Sequence, residues 1–286
     1  MDTEFWVIQV FNGISYGALL FLLAGGLSLI FGVMRIVNLS HGSYFMLGGY
    51  VALTVIWTTD SWVLAIPVAA LTIAVVGLIM ERVFLRPLGF DPLRQVLLTV
   101  GFAFLFQQGA LDIWGGDNLD ISPPDILKVS VVLAGIYFPL YRVFMIGVAV
   151  AIGVTIWLTM EKTRMGAMVR AAVDDSEMAR GVGVDTSRVS MFIFALGAFL
   201  AALGGVIGGA FLGVYPGLDF EILPIAFAVV IIGGMGSLGG AAVGSLIVGL
   251  ADNFGKALFP EISYFTLYAP MVLILALKPT GLFGRE

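Results

Sequence analysis

The chain reads as an all-α protein, a polytopic bundle of transmembrane helices, and three observations predict this. Hydrophobic residues make up 60% of its 286 residues and charged residues only 12%, where a soluble domain carries about 25% charged. Mean hydropathy is +1.06. The apolar runs are long and do not alternate, as between Val143 and Leu158, which argues against the short alternating strands of an outer-membrane barrel. Cysteine is absent, so disulfides and thiolate metal sites are excluded.

About 20 apolar residues cross a bilayer as a helix. On that measure spans fall near 6–33, 43–57, 62–84, 96–114, 144–158, 190–213, 223–250 and 263–277. Residues 129–140 are apolar but interrupted by Pro139, and read as an extra short span or an interfacial segment. The run Gly-Gly-Met-Gly-Ser-Leu-Gly-Gly at 233–240 leaves 223–250 as one bent helix or as two helices joined by a glycine turn. About eight to ten spans are expected, in a single membrane domain covering 1–286 with no soluble domain. Asp2 and Glu4 stand where a cleavable leader would carry basic residues, so no signal peptide is expected.

Lysine and arginine set the expected orientation. Arg35 follows the first span, and Arg82, Arg86 and Arg94 follow the third. The richest basic loop holds Lys162, Arg164, Arg170, Arg180 and Arg188. The intervening loops are acidic, with Asp112, Asp117, Asp120 and Asp125 against Lys128, then Asp219 and Glu221. The alternation places the N-terminus outside and 161–189 in the cytoplasm. Lys278 and Arg285 suggest a cytoplasmic C-terminus, which needs an odd span count and favours splitting 223–250.

Few polar residues lie at membrane depth, and such residues usually face the bundle interior. Gln107 and Gln108 lie inside the fourth span, with Thr99 before them. They serve interhelical hydrogen bonding or line a polar path. His41, the only histidine, stands at a span boundary with Asn38 and Ser40. The last two suit a cap for a helix beginning near Gly42. Asp252 and Asn253 are expected in water at a span end. Gly204/Gly208 and Gly205/Gly209 are small-xxx-small pairs that let helices approach closely in lipid. Beyond end residues such as Glu81 and Arg82, no charge is expected deep in a span.

The 161–189 loop is too polar to span. Ala, Met, Arg and Glu over 167–180 favour helix, and Gly181 and Gly183 suit its end. This is expected to be one short amphiphilic helix lying across the cytoplasmic face. Its residues Ala171-Ala172, Asp174, Ala179 and Gly181 resemble the coupling loop of ATP-binding-cassette importer permeases, with Arg170 where that loop usually has glutamate. Val33-Met-Arg-Ile-Val-Asn-Leu-Ser-His-Gly-Ser-Tyr-Phe-Met-Leu-Gly-Gly-Tyr50 resembles a segment near the start of branched-chain amino acid permeases. Gly233 to Gly240 resembles the family's glycine-rich segment, and Lys278-Pro-Thr-Gly-Leu-Phe-Gly-Arg285 its C-terminal tail, with lysine for the usual arginine. The ordered set is similar to the smaller permease subunit of a branched-chain amino acid-type importer.

That resemblance implies several partners. These are a second homologous permease forming a heterodimer, two cytoplasmic ATP-binding subunits and an external solute-binding protein docking around 112–128 and 214–224. It implies that 167–183 docks on an ATPase. Asp174, Asp175, Glu177 and Arg180 would pair with charges there, and Ala171, Ala172, Ala179, Gly181 and Gly183 would allow close approach. The cargo class is branched-chain amino acids or related small polar solutes such as amides, urea and other amino acids. The chain has no Gly-x-x-x-x-Gly-Lys-Ser/Thr loop, so it does not hydrolyse ATP alone. No cofactor, metal or nucleic acid is expected. The competing readings are a stand-alone secondary transporter or channel and, more remotely, a membrane-embedded enzyme. The first lacks an intramembrane charge and the second a catalytic constellation.

Overall fold

The computed structural model describes residues 3–89, 91–133 and 135–284. Asp2 and Arg285, used above as charge and motif cues, lie outside the described residues. The chain forms α1 (Thr3–Met34), α2 (His41–Thr59), α3 (Trp62–Ile79), α4 (Pro92–Trp114), α5 (Leu140–Lys162), α6 (Arg164–Asp174), α7 (Ser176–Gly181), α8 (Thr186–Leu212), α9 (Leu218–Gly233), α10 (Leu238–Leu258) and α11 (Ser263–Leu277). A π-helical turn, Met80–Leu85, continues α3.

Local chemistry starts these helices. The side chains of Ser61, Asp91, Asp185 and Ser237 accept hydrogen bonds from first-turn N–H groups of α3, α4, α8 and α10, satisfying donors that the helix itself leaves open. Between α9 and α10 the chain turns on Gly234 and Gly236, both at positive φ (96° and 84°), which glycine adopts without steric cost. The 223–250 stretch is therefore two helices.

Among the described residues, seven helices are long and apolar enough to cross a membrane: α1, α3 with its continuation, α4, α5, α8, α10, and α11 with the turn before it. The helices α2 and α9 complete the bundle but are surrounded by other helices, with Tyr44, Phe45, Tyr50, Ala226 and Val229 essentially unexposed. Protein rather than lipid is their solvent. A polar first turn in α2 and a length of 16 residues in α9 are then tolerated.

Helices α1 and α8 form the centre. Each is 72% buried over its apolar window, against 17% for α4 and 6% for α11. The expected glycine seam on α8 packs internally. A side chain at Gly205 would strike the Phe45 carbonyl of α2, and one at Gly208 would meet the Phe45 ring and Leu19.

Three local expectations need correction. Of the two readings of residues 129–140, the extra span is not formed. Ser130–Leu133 (β1) and Ile136–Pro139 (β2) pair as an antiparallel hairpin, because β-branched residues and Gly135 favour a strand turn over a helix. The 167–180 segment is two helices, broken at Asp175. Asp252 and Asn253 lie within α10, not in water at its end. Asp252 is 5% exposed and pairs with Lys256 at 2.7 Å, while Asn253 donates to the Gln9 carbonyl at 2.8 Å.

The bundle has a basic end and an acidic end. At the basic end Arg86 meets Ser187, in the first turn of α8. At the acidic end Leu119 and Val214 exchange backbone hydrogen bonds of 2.9 and 2.8 Å, joining the two acidic loops. Hydrogen bonding from Lys128 holds the Asp125 carboxyl below the usual carboxylate range, so this loop stays charged at neutral pH.

Candidate functional site

Helix α1 ends at Met34, and Arg35 takes a left-handed backbone (φ 53°), uncommon for a residue with a Cβ. The chain then returns into the bundle before α2 begins. His41 Nε2 donates to the Leu23 carbonyl at 3.0 Å. Leu23 lies about three turns before the end of α1, so α2 starts ~16 Å inside the bundle.

The returning segment is held by side chains. Leu39 N donates to Thr99 Oγ1 of α4 at 3.2 Å. Asn38 Oδ1 accepts from Ser40 N at 3.1 Å and from Ser40 Oγ at 2.7 Å. The side-chain cap expected from Asn38 and Ser40 is not made. Ser40 occupies the cap position with no side-chain bond to the helix, and its hydroxyl donates to Asn38. Its backbone carbonyl accepts from Ser43 N and Tyr44 N instead. Asn38, Ser40, His41, Ser43 and Thr99 are all fully buried.

Helix α9 begins against this point. Ser43 Oγ donates to Asp219 Oδ2 at 2.8 Å. Gly42 permits the approach, since a Cβ there would run into the Asp219 carbonyl oxygen. Asp219 is 2% exposed, whereas the sequence reading put it in a water-facing loop. A helix-start signal was present and outweighed by its charge: Gly217 precedes, and Asp219 and Glu221 fill the first turn. The expectation of no deep charge is corrected here, and by Asp252.

The two glutamines separate. Gln107 is half-buried, its Nε2 3.5 Å from where a Gly217 Cβ would lie. Gln108 is exposed and donates to Asp112 Oδ1 on its own helix at 2.9 Å. The interior cluster therefore gathers Asn38, Ser40 and His41, adds Ser43, Thr99 and Asp219, has Gln107 near its edge beside Gly217, and leaves out Gln108.

A second candidate surface covers the basic end. Asp175 stops α6 by capping α7, its carboxylate accepting from Glu177 N and Met178 N at 3.0 and 2.9 Å. Helix α6 packs on α5, α8 and the end of α1. The expected docking residues divide in two. Arg170, Asp174, Asp175, Glu177, Arg180, Gly181 and Gly183 are exposed, Ala171 is half-buried, and Ala172 and Ala179 are buried inward. Arg170 donates back to the Met160 carbonyl. Sequence reasoning missed two outward apolar residues, Met178 and Val182, 65% and 73% exposed. It also missed a tie beneath them. Arg86 donates to Glu81 at 3.0 Å and to the Ser187 carbonyl at 3.1 Å, linking the end of α3 to the start of α8. A cavity of about 500 Å³ lies between this tie and α6–α7, lined by Arg35, Gln95, Asp174 and Arg180 among others.

A family model described as branched-chain amino acid transport system / permease component matches residues 9–275. The chain is 30% identical to the high-affinity branched-chain amino acid transport system permease protein LivH of Escherichia coli, over 98% of this chain and 96% of the relative. It is 28% identical to the corresponding protein BraD of Pseudomonas aeruginosa, over 97% and 95%. It is also 27% identical to the ribose import permease protein RbsC of Haemophilus influenzae, over 84% of this chain and 74% of the relative. No solved structure matches.

Proposed function

The chain belongs to the branched-chain amino acid transport permease family, and on that premise we propose that it is the translocating subunit of an ATP-driven, binding-protein-dependent importer. The cargo is branched-chain amino acids or related small polar solutes. The partners are a second, homologous permease, two cytoplasmic ATPases and an external solute-binding protein. The acidic end, where the two acidic loops are joined, faces outward to the binding protein. The basic end faces the cytoplasm, and α6–α7 engages an ATPase.

The observation that carries this reading is the outer face of α6–α7. It sets the apolar Met178 and Val182 among Asp174, Glu177 and Arg180, the apolar centre and charged rim of a protein contact. ATP-driven closure of the ATPases would move this face. The tie from Ser187 through Arg86 to Glu81 would carry the motion to α3. The buried Asp219 removes one earlier objection to an ion-coupled carrier, since such carriers often keep an intramembrane carboxylate. The match along nearly the whole chain to importer permeases outweighs it.

Purification of the tagged chain from its native host in mild detergent, with mass spectrometry of what accompanies it, tests the assembly. A second permease and ATPases are the expected companions. The chain alone, with ATP-independent uptake in liposomes, would mark a secondary transporter. Within the importer, Val182→Asp is expected to lower ATP-driven uptake about tenfold by placing a charge in the docking centre. Wild-type uptake by that variant would remove α6–α7 from coupling.

A further inference from the structure

Asp219 is a buried carboxylate without a cation. It is 2% exposed, and among the described residues the ion pairs join Glu81, Asp91, Asp125, Asp185 and Asp252 to their partners but leave Asp219 out. Its Oδ2 accepts from the neutral Ser43 hydroxyl, and its Oδ1 has no hydrogen-bond partner. A buried charge is expensive unless paired, and an ionisable residue within a membrane bundle marks a binding or transport site more often than a structural one.

The surroundings fit a small zwitterion. Tyr50 lies two turns beyond Ser43 on the same face of α2, is fully buried, and its hydroxyl also lacks a partner. Its ring stacks on Trp114 at 4.8 Å between centroids, giving a flat apolar wall. Gln107 stands at Gly217, two residues before Asp219. Gln107, Trp114 and Gly217 are only half-buried, and Trp114 ends α4 beside the acidic loop.

We propose that Asp219 is an in-membrane binding point for the ammonium group of the transported solute, with the Tyr50 hydroxyl and the Gln107 amide as donors to its carboxylate. The inference rests on the amino-acid cargo proposed above and deepens it. It gives the permease its own recognition element beside the external binding protein. Ser43 is a positioning residue, holding one carboxylate oxygen so that the other points to the cargo.

The test is uptake of radiolabelled L-leucine into ATP-loaded proteoliposomes holding the complete importer with its binding protein. Asp219→Asn keeps the shape and an oxygen acceptor for Ser43 but removes the charge. It is expected to cut initial uptake about tenfold or more without lowering the complex's melting temperature. Asp219→Glu, which restores the charge, is expected to recover part of the loss. Uptake by Asp219→Asn at the wild-type rate would show a neutral, structural side chain and overturn the inference while leaving the importer reading intact. A wild-type importer that moves ribose or urea but no amino acid would overturn the cargo reading and this inference together. Tyr50→Phe and Ser43→Ala cover the case in which Asp219→Asn fails to assemble. Each is expected to raise the KM for leucine import severalfold, and unchanged kinetics in both would also overturn the proposal.

Discussion

Two carboxylates in this molecule are equally buried and differently furnished. Glu81, at the basic end, is 2% exposed and is gripped by Arg86 at 3.0 Å. Asp219, where α2 and α9 begin, is 2% exposed, and the side chain that meets it is a neutral serine hydroxyl. A carboxylate kept for stability is expected to arrive with its cation, because removing one partner of a buried pair leaves an uncompensated charge. Glu81 meets that description. Asp219 does not, and the difference separates a structural tie from a site that takes its cation from outside the chain.

Substitutions that grade the partner's contribution sharpen the contrast. Glu81→Ala should have the largest effect on stability, about 3 kcal/mol, the low end for a broken buried pair because Arg86 is partly exposed. The measurement is thermal unfolding of the purified complex in detergent. An unchanged melting temperature would make the tie ornamental. Asp252→Ala should cost less, about 1 kcal/mol, since the Lys256 left behind is 63% exposed and water can solvate it. Asp125→Asn should leave the melting temperature unmoved. Both members of the Asp125–Lys128 pair are exposed, 95% and 49%, and water solvates the charges as well as they solvate each other. The Asp125 carboxyl is held low by Lys128, so what little the pair contributes is present at neutral pH and lost as pH falls through that lowered range. A measurable loss for Asp125→Asn at neutral pH would mean that burial does not rank these pairs.

Much of the fold was legible because lipid imposes a simple rule. Long apolar runs gave the helices facing outward, and the charge alternation separated the basic end from the acidic one. Glycine spacing at 204–209 marked the α8 face where helices approach closely, and that face packs within the chain. The reading failed where protein replaced lipid or water as the surroundings. Asp219 and Asp252 look like loop residues because charge usually signals water, yet α9 and α10 carry them inside. The break at Asp175 escaped notice because a capping carboxylate and a solvated one have the same sequence appearance. The hairpin at 130–139 was hidden by its apolar composition, which suits a span as well as a strand. Of the expected site residues, Asn38, Ser40 and His41 converge, Gln107 stands beside Gly217, and Gln108 faces away. Ala172 and Ala179 support the α6–α7 surface from beneath rather than form it.

The most direct test of the central contrast measures uptake and melting temperature side by side for Asp219→Asn and Glu81→Ala in the complete importer. The two carboxylates are expected to give opposite profiles. Glu81→Ala melts at a lower temperature, whereas Asp219→Asn melts as wild type does and loses about nine-tenths or more of its leucine uptake. An Asp219→Asn complex that transports normally, or one destabilised as far as Glu81→Ala, would contradict that expectation, because both carboxylates would then be structural.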